Sequence, residues 1–158
     1  MATVGLNFLA GQWAFGNNSV GGAAFSIANA KVGLSFTSAV LLGILCNAMV
    51  NLAVWLCLSA RSNIDKFSAI IPVIGGFVAS GFEHSIANMY FIPMGILLKE
   101  NPGAVAASGL NVDAMANLTW SGFLLDDLLP VTIGNIIGGA MMVAAIYGLV
   151  YLRPRPAS

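Results

Sequence analysis

Between Phe67 and Leu98 the chain has no Asp, Glu, Lys, Arg or His except two adjacent residues in the middle, Glu83 and the only histidine, His84. Few folds accommodate that arrangement. Ionisable groups at membrane depth cost several kcal/mol, so they face a cavity or a partner and mark an ion or proton path. At 1.5 Å per residue, Phe67 to Phe82 makes a helix of roughly 24 Å and Ser85 to Leu98 one of roughly 21 Å. Neither half crosses a hydrocarbon core of about 30 Å alone. Two half-helices meeting at a polar break near the midplane form a discontinuous transmembrane helix, a common way to build a substrate site inside a bilayer.

The rest of the chain agrees with a membrane setting. Apolar residues make up 58% and charged residues 8%, against roughly 45–50% and 25% in soluble domains. Residues 32–60 and 128–152 are also free of Lys, Arg, Asp, Glu and His, and each is long enough to span with some tilt. The expected fold is therefore an all-α integral membrane protein with three transmembrane spans: 32–60, 67–98 broken at 82–91, and 128–152. Pro93 is expected to restart or kink the second half-helix, near an N-terminal turn where its missing N–H is tolerated. Residues 1–12 lack a basic flank and a cleavage-site pattern, so they read as a stub and not as a signal peptide.

Charges sort by side. Arg61 and Lys66 with Asp65 lie between the first two spans, and Arg153 and Arg155 follow the third. Lys31 and Lys99 stand against Glu100, Asp113, Asp126 and Asp127 on the other side. Basic flanks stay in the cytoplasm, which places the Arg61 loop and the C-terminus inside and the 101–127 connection, a loop with a short surface helix, outside. Residues 1–31 then form a periplasmic stub and vestibule, 32–152 a membrane half-domain, and 153–158 a cytoplasmic tail. No basic patch exists that would bind nucleic acid. Cys46 and Cys57 lie about 16 Å apart on one helix, beyond disulfide reach, and act as small apolar fillers.

Within the first span Gly43, Asn47 and Asn51 recur every four residues on one face. The two amides either bond neighbouring helices or line a wet cavity; the spacing satisfies both readings. Gly134 and Gly138 in the third span form a small-xxx-small motif for close helix packing, and the buried amide of Asn135 beside them needs a partner. Before the break, Gly75, Gly76, Ala79, Ser80 and Gly81 surround a single bulky ring, Phe77, which is either a plug or a side chain facing lipid or core. Glu83 and His84 would point about 100° apart on a helix, so only an irregular break lets one face a pore while the other anchors the loop. Histidine is the side chain that most readily exchanges protons near neutrality. An enzyme using the pair as acid and base has no accompanying nucleophile, metal cluster or cofactor motif, and no cofactor is implied.

The run Gly81-Phe82-Glu83-His84-Ser85-Ile86-Ala87-Asn88-Met89 closely resembles the formate/nitrite transporter family of bacterial anion channels. Leu42-Gly43-Ile44-Leu45-Cys46-Asn47 resembles the family's fourth span, and Ile133-Gly134-Asn135-Ile136-Ile137-Gly138-Gly139 its sixth. Lys31 precedes Asn47 as the family's vestibule lysine does. The wording from Phe77 to His84, with Ile92-Pro93-Met94-Gly95, looks more like the formate branch than the nitrite branch. Family members have six spans in an aquaporin-like inverted repeat of three plus three, and five protomers form a ring. This chain supplies spans four to six and so resembles half a protomer, to be completed by a first half before a homopentamer can form.

The resemblance implies roles residue by residue. His84 faces the pore, Phe77 and Val50 help form the cytoplasmic constriction, Asn47 binds or orients the anion or His84, and Lys31 attracts anions at the periplasmic mouth. Glu83 and Asn88 hold the break in shape, with Asn135 supporting it from the last span. The implied partners are formate or a similar small anion and the lipid of a bacterial inner membrane. Nitrite or hydrosulfide conduction would be the same mechanism with another guest. A non-conducting assembly subunit, in which Gly134 to Gly138 only dock a complementary half, is the alternative of a different class.

Overall fold

The computed structural model describes residues 2–111 and 115–152. Every regular element among them is helical: α1 (Ala2–Leu9), α2 (Ser19–Val32), α3 (Phe36–Ser59), α4 (Asn63–Ala79), α5 (Ser85–Leu98), α6 (Pro102–Ser108) and α7 (Gly122–Tyr151). Asp113, Arg153, Arg155 and the tail 153–158, which entered the charge count by side, lie outside the described residues. Two helices, α3 and α7, are long and apolar enough to cross a membrane. Each stays mostly uncovered by the rest of the chain, and α3 leaves Leu41, Leu45, Leu52 and Leu56 exposed. Apolar surface on that scale is covered by lipid or by other protein.

Three boundaries differ from the sequence expectation. The stretch 1–31, read as a stub and vestibule, contains α1 and all but the last residue of α2. The break is shorter than 82–91, because α5 begins at Ser85 and runs through Pro93; a proline inside a helix sacrifices one hydrogen bond but is tolerated where packing holds the turn. The last helix starts at Gly122, ahead of the expected 128, and therefore carries Asp126 and Asp127 in its first turns. These two acids are not part of an outer loop. A π-helical stretch covers Gly122–Leu128 and another Ile137–Ala145.

The chain divides into two compact units, Met1–Ser38 with Ser85–Pro130 and Ala39–His84 with Val131–Ser158. In the first, α2 packs along α5 and α6. Small residues set the distances: a Cβ on Gly95 would collide with that of Ala28, and one on Gly22 would meet the Ala107 carbonyl carbon at 2.7 Å. Phe25, Ala28, Val32, Ile92, Met94, Leu98, Leu118 and Phe123 fill the core between them. Lys99 at the end of α5 donates to the carbonyls of Met115 (3.1 Å) and Leu118 (3.3 Å), so this cation caps a turn.

In the second unit the seam is made of glycines. A Cβ on Gly134 would overlap the Val40 carbonyl, one on Gly138 the Ile44 carbonyl, and one on Gly43 would meet the Val131 oxygen at 2.9 Å. The α3 and α7 backbones therefore touch, as small residues permit in membranes. The face of Gly134 and Gly138 is thus occupied by α3 of the same chain and is not free to dock a complementary half. At one end of the seam Trp55 stands edge-on to Tyr147, with ring centroids 5.6 Å apart. The start of α4 is fixed by a capping box: Ser62 Oγ accepts from Asp65 N, and the Asp65 carboxylate accepts from Ser62 N at 2.9 Å.

Candidate functional site

The helix α4 ends because the chain turns left-handed at Gly81, φ 69°. The Gly81 N–H donates to the Val78 carbonyl and the Phe82 N–H to the Phe77 carbonyl, both at 3.1 Å. This is the Schellman arrangement, which satisfies carbonyls that a helix end would otherwise orphan. Glycine at this position removes the Cβ penalty of the left-handed region.

Beyond that turn the backbone is held by remote residues of the same unit. Glu83 N–H donates to the Leu42 carbonyl of α3 at 3.4 Å. The Asn135 side-chain amide of α7 donates to the Glu83 carbonyl and to the Gly43 carbonyl, each at 3.0 Å. One buried amide thus ties the break to α3, and Glu83 itself is only 4% exposed. Asn47 donates from its side chain to the Asn135 carbonyl, and Asn51 donates back to the Asn47 carbonyl at 2.8 Å. Of the two readings left open by the spacing, helix bonding is the one these amides make. One of the two N–H donors of Asn47 is committed this way, which leaves the other and its carbonyl oxygen.

On this frame His84 is half-buried and its ring lies against Phe77, centroids 6.0 Å apart and planes 27° from parallel. Phe77 is buried within the unit, so the ring faces neither lipid nor solvent. Val50 is partly exposed and lines a groove of about 480 Å³ with Cys57, Lys66, Ile70 and Ile74, between α3 and α4. Phe77, His84, Glu83, Asn47, Val50 and Asn135 therefore belong to one unit, while Lys31 and Asn88 belong to the other.

In that other unit Lys31, at the end of α2, holds its ammonium 6.0 Å from the Phe91 ring centroid, within range of a cation–π attraction. Asn88, in the first turn of α5, donates to both carboxylate oxygens of Asp127, at 2.9 and 3.0 Å. Both residues are fully buried. Asp127 was missed as a site residue because the two adjacent acids read as the end of the outer 101–127 connection. The apolar run Phe123-Leu124-Leu125 ahead of them was the available signal that the helix starts earlier. Among the described residues no cluster of three or more His, Cys, Asp or Glu could hold a metal ion.

Comparison with known proteins agrees across sequence and structure. A family model described as formate/nitrite transporter matches residues 2–149. The formate channel FocA of Escherichia coli (strain K12) is 45% identical over 150 residues, covering 94% of this chain and 53% of that protein. A probable formate transporter of Methanothermobacter thermautotrophicus is 42% identical over 137 residues, 85% of this chain and 43% of that one. A solved structure described as a pentameric formate channel with formate bound superposes with a TM-score of 0.84 at 39% identity, covering 95% of this chain and 60% of the other. The chain spans about half the length of the curated relatives it matches.

Proposed function

Because the chain belongs to the formate/nitrite transporter family, we propose that it supplies the C-terminal half of a membrane channel for formate and related small monocarboxylates. The observation that carries this reading is the Phe77–His84 stack, set on a break whose backbone α3 and α7 both hold. On this reading α4 and α5 together make one interrupted crossing between α3 and α7, giving three spans and half of an inverted repeat. A first half completes the pore, and completed protomers form a homopentamer in a bacterial inner membrane, with the Arg61 loop cytoplasmic.

The proposed mechanism follows from charge and desolvation. A formate anion entering a dry constriction at Phe77 and Val50 would lose its hydration at large cost, whereas neutral formic acid would not. His84, protonated or relaying a proton, neutralises the anion at the narrow point. The remaining amide atoms of Asn47 orient the imidazole or the anion, and Lys31 raises the local anion concentration at the outer mouth. The guest crosses chemically unchanged, so the chain acts as a conduit and not as an enzyme.

Liposome swelling tests the half-pore directly. Vesicles carrying residues 1–158 together with the first half of the Escherichia coli formate channel are expected to swell in formate. Vesicles carrying residues 1–158 alone are expected to stay tight, and formate-driven swelling of these would contradict the reading.

A further inference from the structure

The seam glycines of α7 are not alike. A Cβ on Gly134 or Gly138 would run into an α3 carbonyl, whereas one on Gly139 would meet two side-chain amides, Asn51 Nδ2 at 2.7 Å and Asn47 Nδ2 at 2.8 Å. We propose that Gly139 is a positioning residue: the space it leaves empty holds the Asn47 amide in one orientation and so decides which of its atoms are offered to a passing anion.

Every part of the arrangement belongs to the second unit. Asn47 and Asn51 stand one turn apart on α3, and Asn51 Nδ2 donates back to the Asn47 carbonyl at 2.8 Å. Both amide nitrogens therefore gather over the same bare glycine. From there Asn47 donates to the carbonyl of Asn135, one turn earlier on α7, and the Asn135 amide donates in turn to the Glu83 carbonyl, beside His84, at 3.0 Å. With its nitrogen held between Gly139 and the Asn135 carbonyl, Asn47 keeps its oxygen on the other branch of the planar amide, together with one N–H, for the guest or the imidazole. An amide free to flip would offer donor and acceptor interchangeably; one pinned by its nitrogen offers a fixed pattern. A methyl group at Gly139 strikes only the far ends of these two side chains, so it displaces the amides and leaves the helices where they are. Gly139 also lies in the π-helical stretch Ile137–Ala145, and such stretches recur at functional sites.

The consequence for transport rests on the channel reading, in which Asn47 meets the guest, but the niche itself is read by thermal unfolding of the chain in micelles. Replacing a helical glycine by alanine is expected to raise the melting temperature by a few degrees where the methyl meets nothing, as in Gly148→Ala, whose Cβ has no neighbour within 4 Å. Gly139→Ala is expected to give no such rise in the wild-type chain and the full rise in Asn47→Ala/Asn51→Ala, where the niche is vacant. Equal shifts in the two backgrounds would overturn the proposal. Should Gly139→Ala fail to fold, recovery of folding in Asn47→Ala/Asn51→Ala supports the proposal and failure in both overturns it. In vesicles carrying the completed pore, folded Gly139→Ala is expected to raise the half-saturating formate concentration several-fold. A merely structural defect lowers the maximal uptake alone, so an unchanged half-saturating concentration, whatever the maximum, would overturn the proposal. Failure of the channel reading looks different: no formate uptake by the wild type either, with the coupling between Gly139 and the two asparagines intact in the melting temperatures.

Discussion

At its start α4 is stopped by hydrogen bonds among Arg61, Ser62 and Asp65, all in solvent and all within one turn. At its end the same helix runs into a turn whose local bonds join Ser80 to Gly76, Gly81 to Val78 and Phe82 to Phe77, after which Leu42, Gly43 and Asn135 take over the backbone. The first terminus is self-sufficient and carries no chemistry. The second bears His84 and depends on residues far away in sequence. A reactive side chain held at an irregular break needs an external scaffold, since the break itself lacks the repeating bonds that make a helix rigid.

Distant substitutions should therefore disturb the break more than local ones disturb the cap. The largest effect is expected for Gly138→Leu, which drives a side chain into the Ile44 backbone and should cost about 3 kcal/mol or more by overpacking; thermal unfolding in micelles measures it. Asn135→Leu comes next. It strips a donor from the Gly43 and Glu83 carbonyls, worth about 2 kcal/mol when buried acceptors are left bare, and should abolish formate uptake at temperatures where the protein is still folded. Uptake at the wild-type rate would show that the break stands without its scaffold.

Ser62→Ala removes a helix cap and should cost about 1 kcal/mol, with the formate uptake profile unchanged. The smallest effect belongs to Asp65. The backbone N–H of Arg61, followed by the N–H and hydroxyl of Ser62, holds its carboxyl below the ordinary value of 3.8. A carboxyl lowered in the folded state adds stability above the ordinary value, and that stability is lost as pH falls through the lowered one. Because the group is fully exposed, the expected acid-side change in melting temperature is slight, and Asp65→Asn should remove it. A large loss would mean that the cap, too, is wired to something remote.

The contrast between the two ends also explains what could be read from the sequence. The capping pair of Ser62 and Asp65, three positions apart, is a local pattern, as is the apolar length of the charge-free runs that located α3 and most of α7. The polar interruption at Glu83-His84 was equally visible. Its edges were not: Pro93 looked like a helix boundary, but α2 packs along α5 and the turn survives. Nor could a linear reading pair Asn88 with Asp127 or Asn135 with the Glu83 carbonyl, since the first bond depends on α7 meeting α5 and the second on α7 meeting the break. The glycines of α7 were legible as a packing surface, while their partner, α3, was not.

On the proposed function, the scaffolded break presents His84 to a passing anion. The most direct test of this is the pH dependence of formate uptake in vesicles carrying the completed pore with His84→Phe or His84→Asn. Asn keeps a donor and an acceptor of similar reach but cannot gain a proton, and Phe keeps neither. His84→Phe is expected to lose pH-dependent uptake, while His84→Asn passes formate with a flat pH profile. Formate uptake by folded His84→Phe with the wild-type pH profile would contradict it and leave His84 as a core residue stacked on Phe77.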